Sequence, residues 1–214
     1  MDVALSSNRQ PYVKQVAPVI PYLAVFMGMY MLRSAWASIL LYHAGMVTVL
    51  TVTGSWQVGR PVAGWKTWLI LLGVSATSAT AGIFIFVLWP IMKIPQLVLA
   101  TELTGLGFDN LKWILFIFYY FTVNPFFEEL FWRGYLGSDS RRPTWNDIWF
   151  AGYHVVVVFL FVDWLWLAVS FAMLVAVAWF WRQLACHYRS LWIPIASHAA
   201  ADAGIIGAVY LLVS

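Results

Sequence analysis

The chain has a single cysteine, Cys186, in 214 residues, so it forms no internal disulfide and holds no thiol redox pair. Charge is scarce too: Asp, Glu, Lys and Arg make up 10% of the residues, against about one quarter in a soluble domain. No soluble-type domain, low-complexity run or clear internal repeat is visible. Lys and Arg cluster nowhere densely enough for nucleic acid, which is excluded as a partner. The soluble zinc-protease signature His-Glu-x-x-His is also missing. What remains is apolar: 63% hydrophobic, 18% aromatic, with a mean hydropathy of +0.80. That composition describes an integral membrane protein surrounded by membrane lipids. The net charge of +3 comes from few groups and bears on membrane orientation.

Several apolar stretches approach the roughly 20 residues that cross a bilayer as helix. Seven spans are predicted, over about 16–32, 36–53, 68–89, 113–136, 147–162, 164–181 and 191–213. The expected fold class is an all-α, polytopic transmembrane helical bundle of seven to eight spans. The long connection 90–112 has room for a short interfacial helix and carries no evident chemistry. Residues 1–110 read as N-terminal transmembrane helices with this external loop, and 111–214 as a helical core holding the ionisable groups, within one integral membrane domain. The run 16–32 is long for a signal-peptide core, and Arg33 stands where cleavage needs small residues, so a retained first helix is expected. Trp36, Trp68, Trp89, Trp113, Trp164, Trp181 and Trp192 mark span ends, as interfacial indoles do.

Seven spans put the N-terminus and the second, fourth and sixth loops on one side, with Arg9, Lys14, Arg60, Lys66, Arg141, Arg142, Arg182 and Arg189. Arg33, Lys93 and Lys112 fall on the other. By the positive-inside rule, eight cations against three predict a cell-membrane location with the N-terminus in the cytoplasm and the C-terminus outside.

Three ionisable residues interrupt the fourth span: Glu128, Glu129 and Arg133. Near the middle of a spanning helix a charge costs roughly 2.5–3.5 kcal/mol, and its default reading is a functional site. Glu129 and Arg133 are spaced to pair along the helix and brace it, whereas Glu128 points about 100° away and has no local partner. The fifth span adds Phe150 and His154, and the seventh adds His198 and Asp202 on one helical face. Glu128, His154 and His198 all lie roughly 10–12 Å in from the same side, at about 1.5 Å per residue. A common depth on three helices predicts one shared pocket. Phe150 reads as helix packing and His43 as a polar contact between helices. Cys186 and His187 have no partner that the sequence names. Pro125 leaves the Phe121 carbonyl without its helical donor, which gives either an acceptor at the site or a kink repaired by a neighbouring helix.

Glu-Glu-x-x-x-Arg (Glu128, Glu129, Arg133), Phe-x-x-x-His (Phe150, His154) and His-x-x-x-Asp (His198, Asp202) follow in order on separate helices. This series resembles the CPBP family of intramembrane proteases, which includes the type II CAAX prenyl endopeptidases and the Abi or bacteriocin-immunity proteins. The likeness covers roughly residues 124–204 and makes 111–214 the CPBP-like catalytic core. It implies an endopeptidase in which Glu128 activates water, while His154 and His198 position that water, bind a metal or stabilise the oxyanion. The prenyl endopeptidases usually carry asparagine where this chain has Asp202. An ionised aspartate accepts hydrogen bonds but cannot donate one to an oxyanion, so Asp202 would serve as a metal ligand or orient a histidine.

The expected activity is hydrolysis of a peptide bond in a membrane-associated or lipidated protein or peptide that enters from the cytoplasmic side. If a divalent metal of the zinc type takes part, His154, His198 and Asp202 would hold it and leave one position for water. A metal-independent route stays open, with the same histidines orienting the water. Two other classes are compatible with the residues: a proton-coupled transporter, since intramembrane Glu and His also build proton relays, and a non-catalytic immunity or interaction protein. A transporter would more often spread its polar residues through both halves of the bilayer.

Overall fold

A bilayer interior offers no water to the backbone, so an apolar chain of this kind bonds its peptide groups within helices. The computed structural model, which describes residues 10–92 and 96–214, is built in that way. Arg9 and Lys93, assigned above to opposite membrane sides, lie outside the described residues. Helix α1 (Gln10–Val16) continues through a 3-10 turn (Ala17–Val19) into α2 (Ile20–Val25) and a π-helical end (Phe26–Met31). There follow α3 (Ala35–Thr53), α4 (Trp65–Leu88), α5 (Gln96–Gly105), α6 (Asn110–Thr122) and α7 (Asn124–Glu129), the last extended by a second π-helical segment (Leu130–Tyr135). Helices α8 (Trp145–Val158), α9 (Trp164–Tyr188) and α10 (Trp192–Val213) complete the chain.

Contiguous pieces form eight helical rods, of which six are long and apolar enough to span a membrane, so the protein is a multi-pass membrane protein. This corrects the expectation of seven to eight spans. The expected fifth span, 147–162, is helical only within α8, whose 14 residues reach about 21 Å against a hydrocarbon core of about 30 Å. Hydropathy counted the apolar residues after Val158 as helix, but Phe159 to Val162 form turns that lead to α9. The connection 90–112 does contain a short helix, α5.

Local signals explain the helix ends. Ser34 caps α3 by accepting from the Ala37 N–H, and Gly54 closes that helix with a φ of 67°. Asp109 caps α6 through the Lys112 N–H, and hydrogen bonding from Lys112 holds its carboxyl below the usual carboxylate range. Thr144 and Asp147 form a reciprocal capping box at the start of α8. The fourth predicted span breaks at Val123, because Pro125 in the first turn of α7 has no N–H for the preceding turn.

Burial sorts the six long helices. Only 6% of the best window of the α4 rod and 11% of α9 are buried, against 33–44% for the other four. Those two therefore turn most of their surface to lipid, and the remaining helices enclose the polar groups. Helix α4 still grips α10 through small residues. A Cβ on Gly204 would lie 2.4 Å from the Ala79 carbonyl oxygen, and one on Gly82 would lie 2.1 Å from that of Gly204. Such close backbone approach is the usual means of helix association where no hydrophobic drive operates. Ser78 and Ser197 share a hydrogen bond of 2.7 Å beside this contact, and the Trp181 indole N–H donates to Ser197.

Arg182, read above as a flanking cation, is instead buried. Its guanidinium donates to both oxygens of Asp147, at 3.1 and 2.8 Å, and to the carbonyls of Ser138, Ser140 and Arg142. One side chain thus pins the 137–144 connection to α8 and α9. Breaking such a pair by removing one partner costs about 3–5 kcal/mol, because the other charge stays buried.

The packing yields a paired test. Gly204→Val must push α10 away from α4 and is expected to lower the midpoint of thermal unfolding in detergent and to weaken the site carried by α10. Gly207→Val, where a Cβ meets nothing within 4 Å, is expected to leave both near the wild-type level.

Candidate intramembrane active site

Helices α7, α8 and α10 bring the predicted residues to one place. Glu128 is the fifth residue of α7, and Asn124, one turn earlier, shares its face. Counting from Tyr135, Trp145 and Trp192, the residues Glu128, His154 and His198 lie roughly 9–14 Å from their respective helix ends. Glu128 and Glu129 are both fully buried, as are His198 and Asp202; His154 is partly exposed.

The contacts separate the two glutamates. Glu128 Oε1 accepts a 2.6 Å hydrogen bond from the Tyr153 hydroxyl, and its Oε2, 3.8 Å from His198 Nε2, has no hydrogen-bond partner. Glu129 Oε1 accepts from His198 Nδ1 at 2.8 Å and stands 3.1 Å from Arg133 Nη1. The predicted Glu129–Arg133 pair is therefore present, and Glu129 also fixes His198, a role that helical spacing did not reveal. The Arg133 guanidinium gains no aligned hydrogen bond. It lies 4.0 Å above the Phe150 ring and 5.2 Å from the Trp181 ring, so two aromatic faces hold it.

His154 Nδ1 donates to the Phe150 carbonyl at 2.8 Å, and its Nε2 lies 3.1 Å from the Tyr153 hydroxyl. Glu128 and His154 thus meet at one phenol oxygen. The Phe150 ring packs edge-on against Trp132, Tyr153, Trp181 and His198, in keeping with its expected packing role. Trp181 stacks on His198 at 4.3 Å. Asp202 Oδ1 is 3.5 Å from His198 Nε2, and its Oδ2 accepts from Asn124 Nδ2 at 3.1 Å. Asn124 Oδ1 accepts in turn from His43 Nε2 at 3.1 Å, and the His43 Nδ1 is 2.7 Å from the Tyr119 hydroxyl. His43 is the interhelical polar contact expected of it. Cys186, left without a partner above, lies against the Ser138 carbonyl and Asp139.

Sequence reasoning missed Tyr153 and Asn124. Each had a positional signal: Tyr153 precedes His154 directly, and Asn124 sits one helical turn before Glu128. Neither type is costly enough in a membrane to attract attention alone.

The expected metal set does not fit this arrangement. Among the described residues no three His, Cys, Asp or Glu side chains converge to hold an ion. Both ring nitrogens of His154 already face protein oxygens, and His198 offers only Nε2. What the donors can do instead is hold a water and a carbonyl group between Glu128, His198 and His154.

No curated protein and no solved structure matches the chain. A family described as Type II CAAX prenyl endopeptidase Rce1-like matches residues 110–204, the stretch from α6 into α10 that contains every one of these groups except His43. That stretch matches the Rce1-like type II CAAX prenyl endopeptidase (CPBP) family domain, and the match suggests an intramembrane protease.

Proposed function

We propose that this protein is an intramembrane endopeptidase that hydrolyses a peptide bond in a membrane-associated or lipidated protein or peptide, using a water activated by Glu128. The observation that carries this reading is the Glu128 carboxyl, buried and fixed by Tyr153 through one oxygen while the other has no partner. Water beside Oε2 gives its proton to Glu128 as its oxygen attacks the substrate carbonyl carbon. The carbonyl electron pair moves onto oxygen, and the resulting tetrahedral oxyanion needs donors. His198 supplies one through Nε2–H as an imidazolium, its Nδ1–H being held by Glu129. The proton on Glu128 then passes to the amide nitrogen, the C–N bond breaks, and the amine leaves. His154, oriented by the Phe150 carbonyl, shares the Tyr153 hydroxyl with Glu128 and positions the water. Asp202 keeps the His198 ring in register.

The positive-inside asymmetry supports substrate entry from the cytoplasm. Asp147 opens α8 and Arg182 lies near the end of α9, and their ion pair puts both ends on one side. The alternation behind the cation count therefore survives the shortness of α8. With buried Arg182 set aside, seven cations stand against three opposite. The first test sets a prenylated C-terminus against other membrane-bound peptides.

Purified protein should cleave members of a peptide panel containing lipidated and unlipidated sequences in detergent or vesicles. Glu128→Gln is expected to lower kcat/KM by about 10²–10⁴-fold, the usual worth of a positioned general base, with the helical signal unchanged. Tyr153→Phe frees Glu128 Oε1 and should cost about tenfold, mostly in kcat. Equal cleavage by wild type and Glu128→Gln would remove the peptidase assignment. An unchanged biological phenotype in Glu128→Gln would point to an interaction protein.

A second measurement addresses the metal. Because the donors are committed to one another, chelation should leave the cleavage rate within twofold of the untreated enzyme. Loss of activity on chelation, with recovery on adding zinc, would reinstate a metal held by His154, His198 and Asp202.

A further inference from the structure

The direction of hydrogen-bond donation can be traced through the site, and it ends on a group with a hydrogen to spare. The structure sets Asn124 Nδ2 against Asp202 Oδ2 and Asn124 Oδ1 against His43 Nε2, the orientation in which an ionised Asp202 accepts and the amide donates. His43 then carries its proton on Nε2, and its Nδ1 accepts from the Tyr119 hydroxyl. Every proton in the series Tyr119, His43, Asn124, Asp202 points the same way.

Nδ2 has two hydrogens, and among the described residues only Asp202 accepts from it. Of the other donors, Tyr153 donates to Glu128 and His154 Nδ1 to Phe150, while the Arg133 guanidinium makes no hydrogen bond and is held against the Phe150 and Trp181 faces beside Glu129. Asn124 is 2% exposed and lies on the same helical face as Glu128. Resting on the peptidase reading above, the geometry points to Asn124 as a catalytic residue that donates its second Nδ2 hydrogen to the oxyanion, opposite His198. His43 is then a positioning residue, acting through the Asn124 carbonyl oxygen. In this arrangement the acceptor Asp202 holds the amide donor in place, and the donor itself comes from α7.

The test is a set of variants assayed for cleavage and for binding of a peptide aldehyde whose hydrate mimics the tetrahedral intermediate. Asn124→Ala should lower kcat by about 10²-fold, the usual loss for one oxyanion donor, with KM within about twofold. Aldehyde affinity should fall by the same factor as kcat/KM. Asn124→Asp should lose more, since two carboxylates then face each other. The double variant Asn124→Asp with Asp202→Asn removes the facing carboxylates but leaves an acceptor at position 124, so it should regain thermal stability and not kcat. His43→Phe should lower kcat about tenfold, and His43→Gln, which keeps an N–H, should restore most of it. Cleavage by Asn124→Ala at the wild-type kcat, or a loss confined to KM, overturns the assignment. If Asn124→Ala does not fold, recovery of kcat by the double variant to within tenfold of wild type overturns it equally. Wild-type protein inert toward the whole panel would be a different failure, that of the peptidase reading itself.

Discussion

One carboxylate oxygen, Glu129 Oε1, is shared by Arg133 and His198, and the rest of the site depends on it. At this site the carboxyl groups of Glu128, Glu129 and Asp202, the His198 imidazole and the Arg133 guanidinium are enclosed in a mostly apolar bundle. Each would be expensive in the membrane alone. Their geometry offsets most of that cost: Glu129 lies between two cationic partners, and Phe150 and Trp181 present their faces to Arg133. Trp181 also stacks on His198, so the same indole borders both cations. Remove Glu129 and two groups lose their counter-charge at once, which is why this residue reads as structural.

Such a network holds its geometry only if the helices cannot drift. Helix α10 carries His198 and Asp202, and its other side is seated on α4 by Gly82, Ala79 and Gly204 with almost no space between backbones. On the site side the contacts are large and aromatic. The smallest residues thus set the helix position, and the largest fill what is left around the charges. The π-helical segment Leu130–Tyr135 directly follows the two glutamates. Wider turns of this kind recur at functional sites, and here one ends the helix that delivers both carboxylates.

Much of this was legible in the sequence, because charge in a membrane is conspicuous. Glu128, Glu129, Arg133, His154, His198 and Asp202 stand out against apolar neighbours, and their common depth foretold that they would meet. The span count was less legible. Hydropathy cannot tell a helix from an apolar turn, so the end of α8 was extended past Val158. Arg182 was read as interfacial because it lies near the end of an apolar run, and only the fold shows Asp147 and three carbonyls closing on it. Tyr153 and Asn124, and the particular partners of His43, were harder to read for another reason. Neutral hydrogen-bonding side chains are common between membrane helices, and spacing along one helix says nothing about contacts to another.

Adjacent glutamates with equal burial still have unequal duties, and the reason lies in their partners. The negative charge of Glu129 is answered by a guanidinium and an imidazole, and moving a proton onto it would undo both contacts. Glu128 has only a neutral phenol as its hydrogen-bond donor, and its second oxygen faces His198 Nε2 of α10 at 3.8 Å without a hydrogen bond. A proton taken from water therefore has one natural acceptor. The same reasoning separates Asn124 from Asp202: the carboxylate can only receive, and the amide can give. In a site this dry the direction of each hydrogen bond, more than the presence of polar groups, decides which residue does chemistry and which holds it in place.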